Sequence, residues 1–232
     1  MSLILPFIYY SGITGWNGYL YYSRQFTSIV LDGNLREHDI HFSFRDKLNL
    51  HYSKGSGLIR FGILFRNVEV IYFYPDDFYS VMGGIRGRWG KLFLGINSDL
   101  KPSLSVFLEK GTRWNEFGVR IRGMVEYHGG YEVPLGRRDA WGYRRHEIRD
   151  PVAYSIMLMG SYRLVERVVY AGFMPVGKKG MDLLIGVQYF NEHVSAGTGI
   201  RFFYPVLGSF HIFAGVEPAS GRWDLFLGMG EL

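Results

Sequence analysis

The sequence predicts an all-β chain: a closed antiparallel transmembrane β-barrel of about sixteen short strands, with one long loop over residues 128–151 near or in the lumen. Three observations predict it. Apolar and polar residues alternate with period two along much of the 232 residues. Turn signals recur at short intervals. No segment has a helical 3.6 period, and no run approaches 18 consecutive apolar residues, so no helix is expected to cross a membrane.

The alternation is plainest in three segments. In NEFGVRIRGMVEYH, Phe117, Val119, Ile121, Val125 and Tyr127 share one face, and Glu116, Gly118, Arg120, Arg122, Glu126 and His128 share the other. In VSAGTGIRFFY, Val194, Ala196, Ile200, Phe202 and Tyr204 oppose Ser195, Gly197, Gly199, Arg201 and Phe203. In WDLFLGMGEL, Trp223, Leu225, Leu227 and Met229 oppose Asp224, Phe226, Gly228 and Gly230. Such segments are strands between two unlike environments. Between them stand LDGN, FRDK, SKGSG, YPDD, KGTRW, GKKG, FNEH and EPASG, all rich in residues that favour turns. The exception is HGGYEVPLGRRDAWGYRRHEIRDP, from His128 to Pro151. A loop of that length in a compact all-β chain is functional or a plug. With no linker and no low-complexity segment, residues 1–232 read as one domain.

Composition narrows the classes. Hydrophobic residues are 47% and charged residues 20%, enough apolar content to fold. There are 17 Tyr, 18 Phe and 31 Gly, which favours strands and turns over helices. The absence of cysteine excludes disulfides and thiolate metal sites. The net charge of +5 comes from scattered basic residues without a basic tail, so nucleic acid is not the expected partner. The opening MSLILPFIYY lacks a basic n-region and a small-residue cleavage site, so an exported protein is expected to have lost its leader already.

Two architectures fit this alternation, a soluble sandwich and a membrane barrel. Three features favour the barrel. About sixteen strands close a cylinder too wide for side chains to fill. Glycines Gly118, Gly197, Gly199 and Gly228 share the polar face, where they would make room for long partners such as Arg120 and Arg201. Aromatics such as Phe117 and Tyr127 cap the apolar runs, as interfacial girdles do. An arginine facing lipid costs about 2–4 kcal/mol near the midplane, so Arg60, Arg66, Arg120, Arg122 and Arg201 are expected to face the lumen with Glu126. Opposite charges interleaved along the chain suggest an ion ladder; a positively biased, anion-favouring pore is the other reading.

The segment LPFIYYSGITGWNGYLYYSR resembles the first hairpin of the bacterial surface-antigen superfamily, the BamA-like outer-membrane barrels. PLGRRDAWGYRRHEIRDPVAYSIMLMGSYRL resembles their sixth extracellular loop and the strand after it, with Trp141, Gly142, Tyr143, Arg144 and Arg145 as the loop motif. HVSAGTGIRFFYPVLGSFHIFAGVEP resembles their closing strands. Between Phe26 and Tyr127 only the strand pattern is shared. The resemblance implies location in the bacterial outer membrane, contact with its lipids, and handling of client outer-membrane or secreted proteins. Three positions depart from the family. Ala140 precedes Trp141-Gly142-Tyr143 without an arginine directly before the glycine. Ser161 stands where an acidic residue is expected, and Pro175 where Phe173–Gly177 would carry an aspartate. Cation and anions are lost together, so the loop is expected to be free of that ion lock, with Arg144 or Arg145 as possible substitutes. No periplasmic repeat domain is visible, and the chain ends in Leu232 where family barrels end in an aromatic.

No enzyme signature is present: no Gly-x-Ser-x-Gly, no Walker loop, no His-Glu-x-x-His. Ser161 or Ser195 with His193 is not singled out by spacing, and no catalytic residue, metal or cofactor is expected. Gly83-Gly84 with Gly87 and Gly90 reads as a kinked strand and turn. His38 and His41 fall on opposite faces of a strand. His146-Glu147, beside Arg144, Arg145 and Arg149, suits an anion or headgroup site or a plug, though a solvated charged loop weighs slightly more. The expected functions are protein insertion or translocation, a passive pore or membrane anchor, and a soluble β-sandwich binding module.

Overall fold

In the computed structural model the described residues are 2–229 without 25, 46, 137, 138, 172, 206 and 207. They form eighteen strands. In chain order these are β1 (Ser2–Ser11), β2 (Gly15–Arg24), β3 (Thr27–Gly33), β4 (His38–Phe44), β5 (Leu48–Gly55), β6 (Leu58–Phe65), β7 (Val68–Tyr74), β8 (Phe78–Gly87) and β9 (Gly90–Asn97). They continue as β10 (Pro102–Trp114), β11 (Phe117–His128), β12 (Val133–Pro134), β13 (Arg149–Asp150), β14 (Val152–Ala171), β15 (Met174–Phe190), β16 (His193–Tyr204), β17 (Gly208–Glu217) and β18 (Arg222–Met229). Sixteen of them make one antiparallel sheet that follows chain order from β1 to β18 and rolls into a nearly closed barrel. The remaining two, β12 and β13, pair with each other inside the long loop. One rolled sheet replaces the two packed sheets that a sandwich needs.

Every neighbour is joined by a hairpin, so one rim carries the turns after β1, β3, β5, β7, β9, β15 and β17 together with the 129–151 loop. The opposite rim carries the other turns. Beyond Arg163, β14 pairs with β15 alone, because β11 ends against Tyr162 and the Arg163 N–H donates to the Glu116 carbonyl; this hairpin projects past the second rim. A β-bulge between Arg163 and Val165 marks the start of the projection.

The two faces sort as the alternation predicts. Register carries the inner face across the wall: Ser105 opposes Glu126, Glu126 opposes Ala153, Asp182 opposes Arg201, and Arg201 opposes His211. The outer face keeps apolar side chains in the open, among them Ile8, Leu94, Ile121, Leu158 and Ile185. Aromatics rim this apolar wall at both ends. Tyr10, Trp16, Tyr74, Tyr79, Tyr189 and Trp223 stand on the loop side, and Phe26, Phe65, Trp89, Trp114, Phe117 and Tyr162 on the other.

Two expectations need correction. Arg66 does not face the lumen. It sits in the two-residue turn between β6 and β7 with φ of 54°, exposed, its guanidinium 5.4 Å from the ring of outward-facing Phe65. A turn residue is not bound by the pleat that sorts its neighbours. The inner-face glycines also serve other partners than those expected. A Cβ at Gly197 or Gly199 would strike Phe213, one at Gly228 would strike His211, and one at Gly118 would strike Ser161.

The circle closes without a ladder. No pairing between β1 and β18 is present among the described residues. Instead the rings of Phe7 and Phe210 stack at 4.7 Å and 16°, and Tyr10 lies 6.1 Å from Trp223. Leu227 belongs to the outer face, opposite half-exposed Ile212, yet is only 6% exposed because Tyr9 and Tyr19 pack over it. Tyr9 and Tyr19 point inward from β1 and β2, so the last strand is tucked inside the first.

Candidate functional site: a loop pinned across the lumen

The described residues of the 129–151 loop fold into the barrel and fill the end nearest the loop rim. Their short β12–β13 pairing leads the chain in and out, and Val133, Leu135, Ala140 and Tyr143 pack with Ala153 of β14 and Phe190 of β15. Trp141 is the largest wholly buried side chain and lies among Met157, Met159, Leu184, Phe213 and Phe226. The wall makes room for it: a Cβ at Gly186 would lie 2.9 Å from the indole. Gly142 follows with φ of +86°, a left-handed turn that returns the chain toward the opposite wall.

Polar contacts hold both walls. On the β15–β16 side, the Trp141 N–H donates to Gln188 Oε1 at 2.9 Å, and Ser195 Oγ donates to the Trp141 carbonyl at 2.6 Å. Gln188 is fixed in turn by donating to Ser155 Oγ at 3.1 Å. Tyr143 Oη lies 3.0 Å from His193 Nδ1. Ser195 and His193 therefore both hold the loop.

On the β3–β5 side the anchor is Arg145, with no exposed surface. Its Nε donates to Asp39 Oδ2 at 2.6 Å, and its Nη2 donates at 3.0 Å to both the carboxylate and the carbonyl of Asp32. Nη1 reaches the Glu37 carbonyl at 3.3 Å. A fork of donors on two carboxylates and two carbonyls compensates a buried guanidinium. His146 is 1% exposed, with Nε2 3.0 Å from Ser53 Oγ and Nδ1 3.4 Å from the Leu58 carbonyl. Burial pushes this imidazole down to about 4, against the pull of Asp39, so it is neutral at neutral pH. Burial likewise raises the Tyr143 phenol.

The loop motif is thus brought together, apart from exposed Arg144, 3.7 Å from Glu37 Oε1. Arg145, one of the two substitutes that the sequence offered for the missing ion lock, ties the loop to the wall formed by β3 and β4. The weight given to a solvated charged loop is overturned, because Arg145 and His146 are buried. The side chains that reasoning from the sequence missed are Asp32, Asp39, Ser53, Gln188 and Asp182. Their signal was an acid or amide on the inner face of a strand, which alternation alone does not set apart.

Below the loop Arg60, Arg120, Arg122, Glu126 and Arg201 line a cavity that Arg66 does not reach. Arg60 on β6 grips Glu126 on β11 with two hydrogen bonds, Nη1 to Oε2 at 2.9 Å and Nη2 to Oε1 at 2.8 Å, reaching between strands that are not neighbours. Arg122 reaches Asp139 of the loop at 2.9 Å, and Arg120 faces Glu109 at 3.5 Å. Arg201 joins Arg113 and Arg163 around Asp182, which is wholly buried on β15. The stretch Phe173–Gly177, where an aspartate was expected, lies at the tip of the projecting β14–β15 hairpin, and the inner-face acid of β15 is Asp182.

No protein-family model, curated protein or solved structure matches this chain.

Proposed function

We propose that this barrel spans a bacterial outer membrane and works in, or descends from, the BamA-like insertion or translocation of proteins across it. The observation that carries this reading is the seam, where β1 and β18 meet through side chains without a backbone ladder among the described residues. A closed barrel in lipid has every strand edge satisfied. A seam made of packed side chains is the place where the wall can part at least cost, and an arriving strand could pair with the edges so exposed.

The outer wall supports the membrane half of the reading. On β11, Phe117 and Tyr127 bound the apolar positions of one strand. Ten steps of about 3.3 Å at the usual tilt of about 40° rise about 25 Å, the height of the apolar band of such barrels. A passive pore fits less well, since Trp141, Arg145 and their neighbours occupy the lumen. Partners in this reading are outer-membrane lipids and unfolded client barrels or secreted chains.

The test is reconstitution into lipid vesicles with an unfolded outer-membrane barrel as client, read by protease protection. The expected result is faster client insertion than in protein-free vesicles. That gain disappears when Phe7→Cys and Phe210→Cys are oxidised to a disulfide and returns on reduction. Insertion at the protein-free rate overturns the proposal.

A further inference from the structure

Beneath the loop lies a cavity of about 1250 Å³, roofed by Gly136, Asp139 and His146 and reaching the β8–β9 turn at Arg88 and Trp89. Its lining holds ten Lys or Arg and five Asp or Glu. Arg86, Arg88 and Lys110 carry part of the excess near the β8–β9 turn. Among the described residues Lys91 has Glu69 at 3.0 Å, Arg120 has Glu109 at 3.5 Å, and Arg122 has Asp139 at 2.9 Å. Around Asp182 the ratio changes. Arg113, Arg163 and Arg201 all converge on its single carboxylate, at 2.9, 2.5 and 2.6 Å, and among the described residues the further acid there is Glu166, paired with Arg163 and Lys178. One carboxylate cannot neutralise three guanidiniums. A low-dielectric wall focuses the remaining field into the cavity.

We propose that this cavity binds a multivalent phosphorylated anion, gripped between Arg120 on β11 and the Arg113–Arg201 side of the Asp182 cluster. Guanidinium forks match phosphate oxygens in pairs, which an isolated ammonium does not do. Two phosphate groups match a site with cations on several strands better than one does. The volume admits a diphosphate with its waters, and entry is from the rim opposite the loop. This assignment goes beyond client insertion and does not depend on it, because it needs only the folded barrel.

The experiment is calorimetric titration of the full chain in detergent micelles at fixed ionic strength in chloride. One arm uses inorganic pyrophosphate and the other uses mixed micelles doped with cardiolipin, whose headgroup carries two phosphates. Saturable one-to-one binding is expected in at least one arm. Pyrophosphate alone would identify a soluble phosphate, and displacement of pyrophosphate by the doped micelles would identify a headgroup. Arg120→Gln should weaken binding about tenfold, and Glu109→Gln should strengthen it about threefold by freeing Arg120 from its counter-ion. Circular dichroism checks that both variants are folded. The opposite signs separate a binding role from general damage, which would weaken both. No saturable heat in either arm, or equal affinities in the two variants and the parent, overturns the proposal.

Discussion

Arg145 and Asp39 stand 106 residues apart in the chain and 2.6 Å apart in the fold, the arginine with no surface in contact with solvent. Taking one partner away leaves the other buried and uncompensated, which costs about 3–5 kcal/mol. Arg145→Met should therefore release the loop, seen as protease cleavage within residues 129–151 and as higher conductance in planar bilayers. Adding Asp32→Asn and Asp39→Asn should reverse much of the release, because the stranded carboxylates are gone. If Arg145→Met is as protected as the parent, the lock is not what holds the loop.

Trp141 fills its pocket against Gly186. Trp141→Ala should lower stability by about 3–5 kcal/mol through the cavity it leaves. Gly186→Val should release the loop for the opposite reason, by driving carbon into the indole. Both are read as a lower melting temperature in detergent, and Gly186→Val combined with Trp141→Ala should be less damaging than the two single effects added together.

The buried imidazole of His146 makes seating of the loop depend on pH. Released, it titrates near 6.5; seated, it is held down to about 4 by burial. Below 6.5 the released state takes up a proton that the seated state refuses, so seating weakens as the pH falls and strengthens as it rises. Between pH 6.5 and 4 the loss reaches about 3 kcal/mol. Conductance should rise over that window, and His146→Asn should flatten the rise. An unchanged profile in that variant would assign the dependence to other groups.

Beside the seam the ring of Phe7 stacks on that of Phe210. Phe7→Ala should loosen β1 without unfolding the barrel. Hydrogen exchange at residues 2–11 should accelerate while β10–β11 stays protected. Equal acceleration of both would mean that the seam and the wall open together.

The strands were legible because the pleat is a local rule. Phe117 and Arg120 differ in face whatever the rest of the chain does, and the cue is within one turn-to-turn span. Arg66 was misread because the same rule was carried one residue past the end of β6. The lock was hidden for a different reason. Asp32 and Asp39 look like any inner-face acids until Arg145 arrives from the far side of the sequence, and no spacing announces that meeting. Asp182 was overlooked because the search for a β15 acid was fixed on Phe173–Gly177, several residues away. The burial of His146 is likewise decided by what closes over it.

The loop ties Asp32, Asp39 and Ser53 on one side of the circle to Gln188 and Ser195 on the other. In geometric terms it is a chord. A ring braced by a chord keeps its curvature when its circumference is cut elsewhere, and among the described residues β1 and β18 share no ladder. Strand separation at that cut and collapse of the cylinder are therefore independent events. The first two strands can swing while the remaining arc, from β3 to β16, is held at a fixed radius by one inserted segment.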